Sequence, residues 1–231
     1  MDLIENFEGD QMRHWYYLKK YKLIKKMILN YCQEDLIIAD IGAGTAPFSR
    51  QIVIDFPKTR VYAVDINYSI EDLKKSDGNF NYVMELPSTI KPNIFLLNDV
   101  LEHIADDQYF LNELVLKASK SSIFVITVPA LRILWTGHDI YLKHYRRYNS
   151  RELKKLLTTC NLHVQSSHYI FGTILPVALF RKLLYGKNVK SQLKNNGSAV
   201  NWMMRIILSC DVVISRILNS GISLIALAEK K

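Results

Sequence analysis

The amino-acid sequence predicts an α/β fold built on a seven-stranded, largely parallel sheet with helices on both faces. Seven short apolar runs have the length of buried strands, and most are separated by stretches with helical periodicity. Two of these runs end in an acidic residue, as strands that lead to a ligand site often do. The chain has 231 residues, 49% of them hydrophobic, which suffices for one substantial core. We therefore predict a single domain over residues 1–231.

The first predicted element is an amphipathic helix over residues 13–32. It precedes the first strand, so residues 1–33 are predicted to form an N-terminal helical cap. Its aromatic cluster at residues 14–17 either closes over a bound ligand or packs into the core, and the sequence leaves both open.

The remaining regular elements follow from apolar runs and helix signals. Strands are predicted at residues 36–41, 61–65, 82–84, 94–98, 123–128 and 162–170, with an antiparallel last strand at 222–228. Helices are predicted at residues 106–118 and 151–159. The second of these begins at Asn149 and Glu152, which have the spacing of a capping box.

Residues 171–221 separate the last two strands and are apolar and basic at once. A connection this long in a compact domain is usually a functional or helical insertion. Arg205, Asp211 and Arg216 interrupt it, so no uncharged run reaches the length of a transmembrane helix. We predict a helical insertion that either forms a lid or lies in a membrane interface.

The net charge of +8 is unevenly distributed. Residues 141–231 carry 15 lysines and arginines against 3 acids, which favours an anionic partner such as a phosphate-bearing substrate, a membrane surface or nucleic acid. A basic surface that only confers solubility is the alternative. The three cysteines, Cys32, Cys160 and Cys210, have neither disulfide nor metal spacing, and the acidic N-terminus lacks a secretory signal. We predict a cytoplasmic protein without a metal.

A glycine turn follows the first predicted strand, at Gly42 and Gly44. Glycines there let the backbone approach a ligand closely, and the acid that ends the second strand, Asp65, is suited to ribose hydroxyls. The pattern predicts a nucleoside site. Pro47 replaces the third glycine of the dinucleotide fingerprint, and no phosphate-binding Gly-Lys-Ser/Thr loop occurs, which disfavours nicotinamide oxidoreductases and nucleotide triphosphatases.

Residues 40–45, D-I-G-A-G-T, resemble motif I of the class I S-adenosylmethionine (SAM)-dependent methyltransferases. Residues 64–66 resemble the ribose-binding acid of that family, and residues 98–104 resemble its VLEH motif. The resemblance covers about residues 10–170. It implies a Rossmann-like methyltransferase sheet and SAM as cofactor. The cofactor-binding residues it implies are Asp40, Gly42, Gly44, Asp65, Ile66, Glu85, Asn98 and Asp99.

The segment from Trp135 to Tyr148 resembles an LWS…HD…H-x-RRY segment found in methyltransferases of surface-polysaccharide and lipid-linked sugar pathways. Histidines beside an acid can form a general base, and paired arginines suit phosphate or carboxylate. Candidate catalytic residues are His144, His138 and His103. Candidate substrate-binding residues are Trp135, Asp139, Arg146, Arg147 and Tyr148. The alternative is a structural loop in which Arg147 pairs with an acid.

These observations predict O-methylation of a small or lipid-linked anionic acceptor, such as a glycan intermediate, in the cytoplasm or at the inner membrane face. A catalytically silent SAM-binding module that docks to a membrane or protein is the alternative. A nucleic-acid base methyltransferase is disfavoured, because residues 98–101 lack an Asn/Asp-Pro-Pro-Tyr turn.

Overall fold

The computed structural model describes residues 11–31, 36–185 and 197–231. Its seven strands form one sheet in the order β3-β2-β1-β4-β5-β7-β6. The strands are β1 Ile37–Ile41, β2 Arg60–Val64, β3 Phe80–Val83, β4 Ile94–Asn98, β5 Ile123–Pro129, β6 Leu162–Ile170 and β7 Ser223–Lys230. Strands β1 to β5 pair in parallel, and β7 runs antiparallel to both of its neighbours, β5 and β6. The predicted fold class is confirmed.

Helices surround the sheet close to the predicted positions. They are α1 Trp15–Ile28, α2 Pro47–Asp55, α3 Ile70–Leu73, α4 Asp107–Lys117, α5 Gly137–Tyr141, α6 Ser150–Thr159, α7 Leu175–Tyr185, α8 Ser198–Ile207 and α9 Asp211–Ile217. The capping box of α6 is present, because Asn149 and Glu152 each accept the other's backbone N–H. The short helices α3 and α5 were not predicted. The predicted end of the first helix, at Cys32, lies outside the described residues. The same holds for residues 1–10 of the predicted cap and residues 186–196 of the predicted insertion.

The sheet is buried on both faces because its strands are apolar along their whole length. All five residues of β4 are buried, and one apolar cluster packs on each side of the sheet. On one face the rings of Phe95 and Phe124 stack with centroids 4.7 Å apart. On the other face α1 packs through Tyr17, Tyr21 and Ile24, which have helical spacing.

The insertion between β6 and β7 is tied to the end of β6 by a buried acid. The carboxylate of Asp211 accepts the backbone N–H of Phe171 at 2.7 Å and that of Thr173 at 3.1 Å. The hydroxyl of Ser215 accepts the N–H of Gly172 at 2.8 Å, and a Cβ on Gly172 would lie 2.7 Å from that oxygen. Asp211, which interrupts the apolar pattern in the sequence, therefore fixes α9 to the sheet. The carboxyl ends of β1, β2, β4 and β5 lie at the same edge as this junction.

Candidate functional site

The glycine turn after β1 is tightly packed against Val100, the second residue after β4. Gly42 has φ +64 and Gly44 has φ +55, a conformation that L side chains rarely adopt. A Cβ on Gly42 would lie only 2.9 Å from Cγ2 of Val100. Both the backbone angle and the packing therefore require glycine at position 42, and the turn stays close to the end of β4.

Asp65, the residue after β2, is held beside this turn. Its carboxylate accepts the N–H of Gly44 at 2.9 Å and the backbone and side-chain N–H groups of Asn67 at 3.0 and 3.1 Å. The hydroxyl of Tyr68 donates to the carbonyl of Gly44 at 2.7 Å. The neighbouring Ile66 is 79% exposed and offers an apolar surface. These contacts join two of the predicted cofactor-binding residues, Gly44 and Asp65, into one preorganised group.

Asp40 supports the turn from the buried side. The hydroxyl of Ser49 on α2 donates to its carboxylate, and burial raises the pKa of Asp40 to about 6. Asn98, the last residue of β4, lies close enough to Asp40 to favour its charged form. Among the residues that the structure describes, the side-chain amide of Asn98 makes no hydrogen bond of standard geometry. The amide is thus available to a ligand.

Asp99 is paired with a lysine that the sequence did not indicate as functional. Lys20 of α1 is fully buried, forms an ion pair with Asp99, and lies 4.9 Å above the ring of Tyr16. Thr127 also donates to Asp99, at 3.2 Å. Burial disfavours the charged ammonium, but Asp99 outweighs it and raises the pKa of Lys20. Burial and Asp99 together raise the pKa of Tyr16 to about 12.

The position of Lys20 in the sequence could have indicated that this lysine is special. It lies on the apolar face of α1, three residues after Tyr17 and four before Ile24, where a lysine is unexpected. Glu85, in contrast, is exposed after β3, and its carboxylate pairs with Lys117 at 3.0 Å. It takes no part in the hydrogen bonds that join Gly44 to Asp65.

The segment from Trp135 to Tyr148 is ordered around Asp139. This carboxylate is fully buried and caps α5 by accepting the N–H of Thr136 at 2.9 Å. It also accepts two hydrogen bonds from Arg147, at 2.7 and 3.0 Å, and lies 3.0 Å from Nδ1 of His144. Burial opposes its charge, but His144 and Arg147 hold the pKa of Asp139 well below its usual range. In this structure Asp139 organises the segment.

Two of the remaining predicted substrate-binding residues, Arg146 and Tyr148, also have internal partners. The hydroxyl of Tyr148 lies 2.7 Å from the carboxylate of Asp107, which accepts a hydrogen bond from Arg146 at 3.2 Å. The guanidinium of Arg146 lies 4.6 Å from the centre of the Tyr148 ring and remains about one-third exposed. Arg147 thus pairs with an acid, as the structural alternative predicts, and Tyr148 also holds the segment. Trp135 is half-buried at its start.

Two of the three candidate catalytic histidines lie together. The rings of His103 and His144 are 4.6 Å apart in an edge-to-face arrangement, and the backbone N–H of Tyr145 donates to the carbonyl of Glu102 at 2.7 Å. Glu102 is fully buried, and burial together with the charge of Asp99 raises its pKa well above the usual range. His138 lies in the first turn of α5. The sequence did not identify Glu102 as a functional carboxylate.

The same fold recurs among solved structures. The plantazolicin methyltransferase BpumL, solved with S-adenosylhomocysteine and a substrate analogue, aligns with a TM-score of 0.61 over 99% of this chain and 89% of its own, at 14% identity. A SAM-dependent methyltransferase from Archaeoglobus fulgidus aligns with a TM-score of 0.55 over 93% of this chain and 99% of its own, at 19% identity. This chain has the fold of the SAM-dependent methyltransferases.

The methyltransferase fold also serves other chemistry. The cyclase SpnF aligns with a TM-score of 0.60 over 97% of this chain and 85% of its own, at 10% identity. No protein-family profile matches the sequence, and no curated protein matches it significantly. The fold is therefore established by structure, and the activity has to be argued from the residues of the site.

Proposed function

We propose that this protein uses SAM to methylate an oxygen of an anionic, lipid-linked acceptor, such as a glycan intermediate, at the cytoplasmic face of a membrane. The tight turn at Gly42 and Gly44, with Asp65 hydrogen-bonded beside it, supports SAM as the cofactor. In this assignment the backbone of the turn approaches the methionine part, and Asp65 binds the ribose. The exposed side chain of Ile66 then packs against the nucleoside.

The proposal for the acceptor rests on helices α8 and α9, in which polar residues face the protein and apolar residues face outward. The residues of these helices that turn toward the protein include three polar ones, Asn201, Asp211 and Ser215. The residues that turn away from it are mostly large and apolar. The exposed apolar residues are Val200, Trp202, Met203, Ile206, Ile207, Val213 and Ile217. Helices on a water-facing surface have the opposite arrangement, so this outward face supports contact with lipid.

The placement of these helices favours an interfacial position. By length and composition the stretch Ser198–Ile217 is apolar enough to cross a bilayer. However, Asp211 and Ser215 bind the backbone at the end of β6, which holds the stretch against the domain. A helix fixed in this way lies along the membrane surface in our proposal, with its outward face among the lipid chains.

Helix α7 adds exposed apolar side chains and a positive charge to the insertion. Helix α7 exposes Phe180 and Leu183, together with Arg181. The segment 186–196 that connects α7 to α8 contains three lysines and no acidic residue. Basic residues next to an apolar face favour an anionic leaflet, by about 1 kcal/mol for each charge near the surface. We therefore propose an anionic membrane as the docking partner.

The insertion contacts both sides of the candidate site. The side chain of Asn201 on α8 accepts the N–H of Trp15 at 3.3 Å, and Lys19 donates to the carbonyl of Leu208 at 2.6 Å. On the other side, Lys182 of α7 donates to the carbonyl of Ile133, just before the Asp139 segment. An acceptor whose tail stays in the bilayer could thus present its head group to the site. Each buried methylene of the tail contributes about 0.8 kcal/mol.

Methyl transfer from the sulfonium of SAM to a hydroxyl is a direct displacement that also requires loss of the hydroxyl proton. The groups able to promote this loss are clustered at the carboxyl end of β4, where His144, aligned by Asp139, lies beside His103 and Glu102. This arrangement supports an oxygen acceptor and a catalytic protein.

The cofactor assignment is tested by calorimetry with SAM. Asp65→Ala should weaken binding by about 1–3 kcal/mol, or roughly 5- to 150-fold, because it removes hydrogen bonds to a charged group. Glu71→Ala, which removes an exposed acid on the nearby α3, is the matched control and should bind as the unaltered protein does. Equal affinity of all three proteins would contradict the SAM site.

The membrane assignment is tested by flotation with vesicles. The protein should float with phosphatidylglycerol vesicles at low salt and less with phosphatidylcholine vesicles. Trp202→Ser combined with Ile206→Ser should abolish flotation. The control combines Ile54→Ser and Leu116→Ser, which remove equally exposed apolar side chains from α2 and α4. Absence of flotation, or equal loss in both double variants, would contradict membrane docking through α8.

The acceptor class is tested with methyl-labelled SAM and cell extracts separated into lipid and aqueous fractions. The label should enter the lipid fraction, with S-adenosylhomocysteine formed in equal amount. Label that enters only the aqueous fraction would contradict the lipid-linked acceptor. SAM binding without turnover in either fraction would favour the silent SAM-binding module.

A further inference from the structure

Three metal-binding side chains converge at the carboxyl end of β4. Glu102 and His103 belong to the 3-10 turn that follows Asp99, and His144 comes from the segment after α5. One ligand atom from each of the three lies within 4.8 Å of the others. The contributing segments are about forty residues apart in the chain, so the sequence alone did not indicate this group.

The carboxylate of Glu102 has little internal compensation. The residue is fully buried, and neither of its carboxylate oxygens has a hydrogen-bond partner among the residues that the structure describes. Lys20, a nearby cation, pairs with Asp99 instead. A buried carboxylate without partners is costly, and most buried polar groups are satisfied by a protein group, water or an ion. The unpartnered oxygens of Glu102 therefore point to a missing ligand.

His144 is oriented in the way that metal-binding histidines usually are. Its Nδ1 lies 3.0 Å from Oδ1 of Asp139, which leaves Nε2 as the ring nitrogen that faces the cluster. Asp139 is itself fixed by the two hydrogen bonds from Arg147. A carboxylate on the outer nitrogen fixes the tautomer and the direction of the ring, as in carboxylate–histidine–zinc arrangements.

We propose that Glu102, His103 and His144 bind a divalent transition-metal ion, with a coordination position open to the acceptor oxygen. Two imidazoles and one carboxylate suit Zn²⁺, Co²⁺ or Fe²⁺ better than Mg²⁺ or Ca²⁺, which prefer oxygen ligands. A tetrahedral ion about 2.1 Å from each ligand needs about 3.4 Å between ligand atoms. The ligand atoms of the cluster lie within 4.8 Å of one another, so side-chain rotations that bring them closer would complete that geometry.

The role of the ion rests on the proposed function, whereas its binding does not. A hydroxyl bound to the metal loses its proton to water more readily, as metal-bound water does. The oxygen then forms a bond to the methyl carbon while the bond between that carbon and the sulfonium sulfur breaks. S-adenosylhomocysteine, the neutral thioether, leaves, and no further reactant is needed.

The test is titration of the chelator-treated full-length protein with Co²⁺, followed by the visible absorption of the bound ion. One equivalent should bind, and Zn²⁺ but not Mg²⁺ should displace it. Glu102→Gln, His103→Ala and His144→Ala should each weaken binding by more than about tenfold, since loss of a second-shell partner alone costs 10- to 100-fold. His163→Ala, which removes an exposed histidine on β6, should leave it unchanged.

X-ray absorption of the unaltered Zn²⁺ protein gives a second measurement that does not depend on whether the variants fold. It should show two imidazoles and additional oxygen ligands. No stoichiometric binding, or binding that His163→Ala weakens as much as His144→Ala, would overturn the site. SAM affinity, measured in the same samples, separates this failure from failure of the proposed function. Methyl transfer that a chelator leaves unchanged would overturn the catalytic role of the ion.

Discussion

Lys20, which is fully buried, and Asp99, whose side chain is 28% exposed, form an ion pair that joins the N-terminal helix to the carboxyl end of β4. Tyr16, one turn earlier on α1, donates to the same carboxylate at 3.4 Å. Asp99 has φ 54, a left-handed conformation that turns its side chain out of the strand direction. Helix α1 is thus linked directly to the edge of the sheet where the glycine turn and the histidines lie.

Breaking this pair should destabilise the protein. Lys20→Met leaves the carboxylate of Asp99 without its cation, which should lower the free energy of unfolding by about 3 kcal/mol in urea denaturation. Lys25→Met is the matched control on the same helix. It removes a pair with Asp55, at 2.9 Å, in which the lysine is 40% exposed, and should cost less than about 1 kcal/mol.

Adding Asp99→Asn to Lys20→Met should restore part of the lost stability, because the unpaired charge is then removed as well. Equal destabilisation by Lys20→Met and Lys25→Met would show that the buried pair is not important for the fold.

Gly42→Ala should lower the free energy of unfolding more than the same substitution at another glycine with positive φ. Gly42 and Gly78 have φ +64 and +52, so both changes carry a similar backbone strain of about 1 kcal/mol. Only at Gly42 would the new Cβ collide with Val100, at 2.9 Å, whereas Gly78 has no atom within 4 Å. Urea denaturation should show an additional loss of about 1–3 kcal/mol for Gly42→Ala.

Val100→Ala should relieve the collision when it is combined with Gly42→Ala, so the double variant should be more stable than the sum of the two single changes predicts. A Gly42→Ala protein as stable as Gly78→Ala would contradict the close approach of the turn to β4.

The titration of Asp40 should make the stability of the ligand-free protein depend on pH. The folded pKa of about 6 lies above the ordinary value of 3.8, so the folded state binds the proton more tightly than the unfolded state. The resulting stabilisation is present below about pH 4 and is lost as pH rises through about 6, by at most about 3 kcal/mol.

Asp40→Asn replaces the acid by a neutral group of the same shape and should remove this dependence. Urea denaturation between pH 4 and pH 7 measures it as the difference between the variant and the unaltered protein. Asp77→Asn, at an exposed turn, is the control. Parallel curves for Asp40→Asn and the unaltered protein would rule out a raised pKa at Asp40.

Arg147→Met should lower the free energy of unfolding. It removes the cation and the two hydrogen bonds that Arg147 gives to the fully buried carboxylate of Asp139, which should cost about 3–5 kcal/mol in the free energy of unfolding. Arg132→Met removes a largely exposed pair with Glu152, at 2.8 Å, and should cost less than about 1 kcal/mol. If Arg147 instead binds the acceptor, its loss will raise KM while the unfolding free energy stays unchanged.

Several parts of the fold could be predicted from sequence because they depend on neighbouring residues. The strands were recognised as short apolar runs, the turn by Gly42 and Gly44, and the start of α6 by Asn149 and Glu152. The long insertion was recognised by its length between β6 and β7. Its two alternatives, a lid or a membrane contact, could not be separated, because periodicity shows that a helix has two faces and does not show which one packs.

Tertiary structure alone decided the partners of the charged residues. Lys20 pairs with Asp99, which is 79 positions away in the chain. Asp211 binds backbone N–H groups that are 38 to 40 positions away. Glu102 lies near His144 only because β4 and the segment after β5 end at the same edge of the sheet. A local pattern records which residues are charged or apolar. The order in which the strands pair determines which of these residues face each other. It also determines whether a buried carboxylate is next to a cation, a backbone amide or no partner.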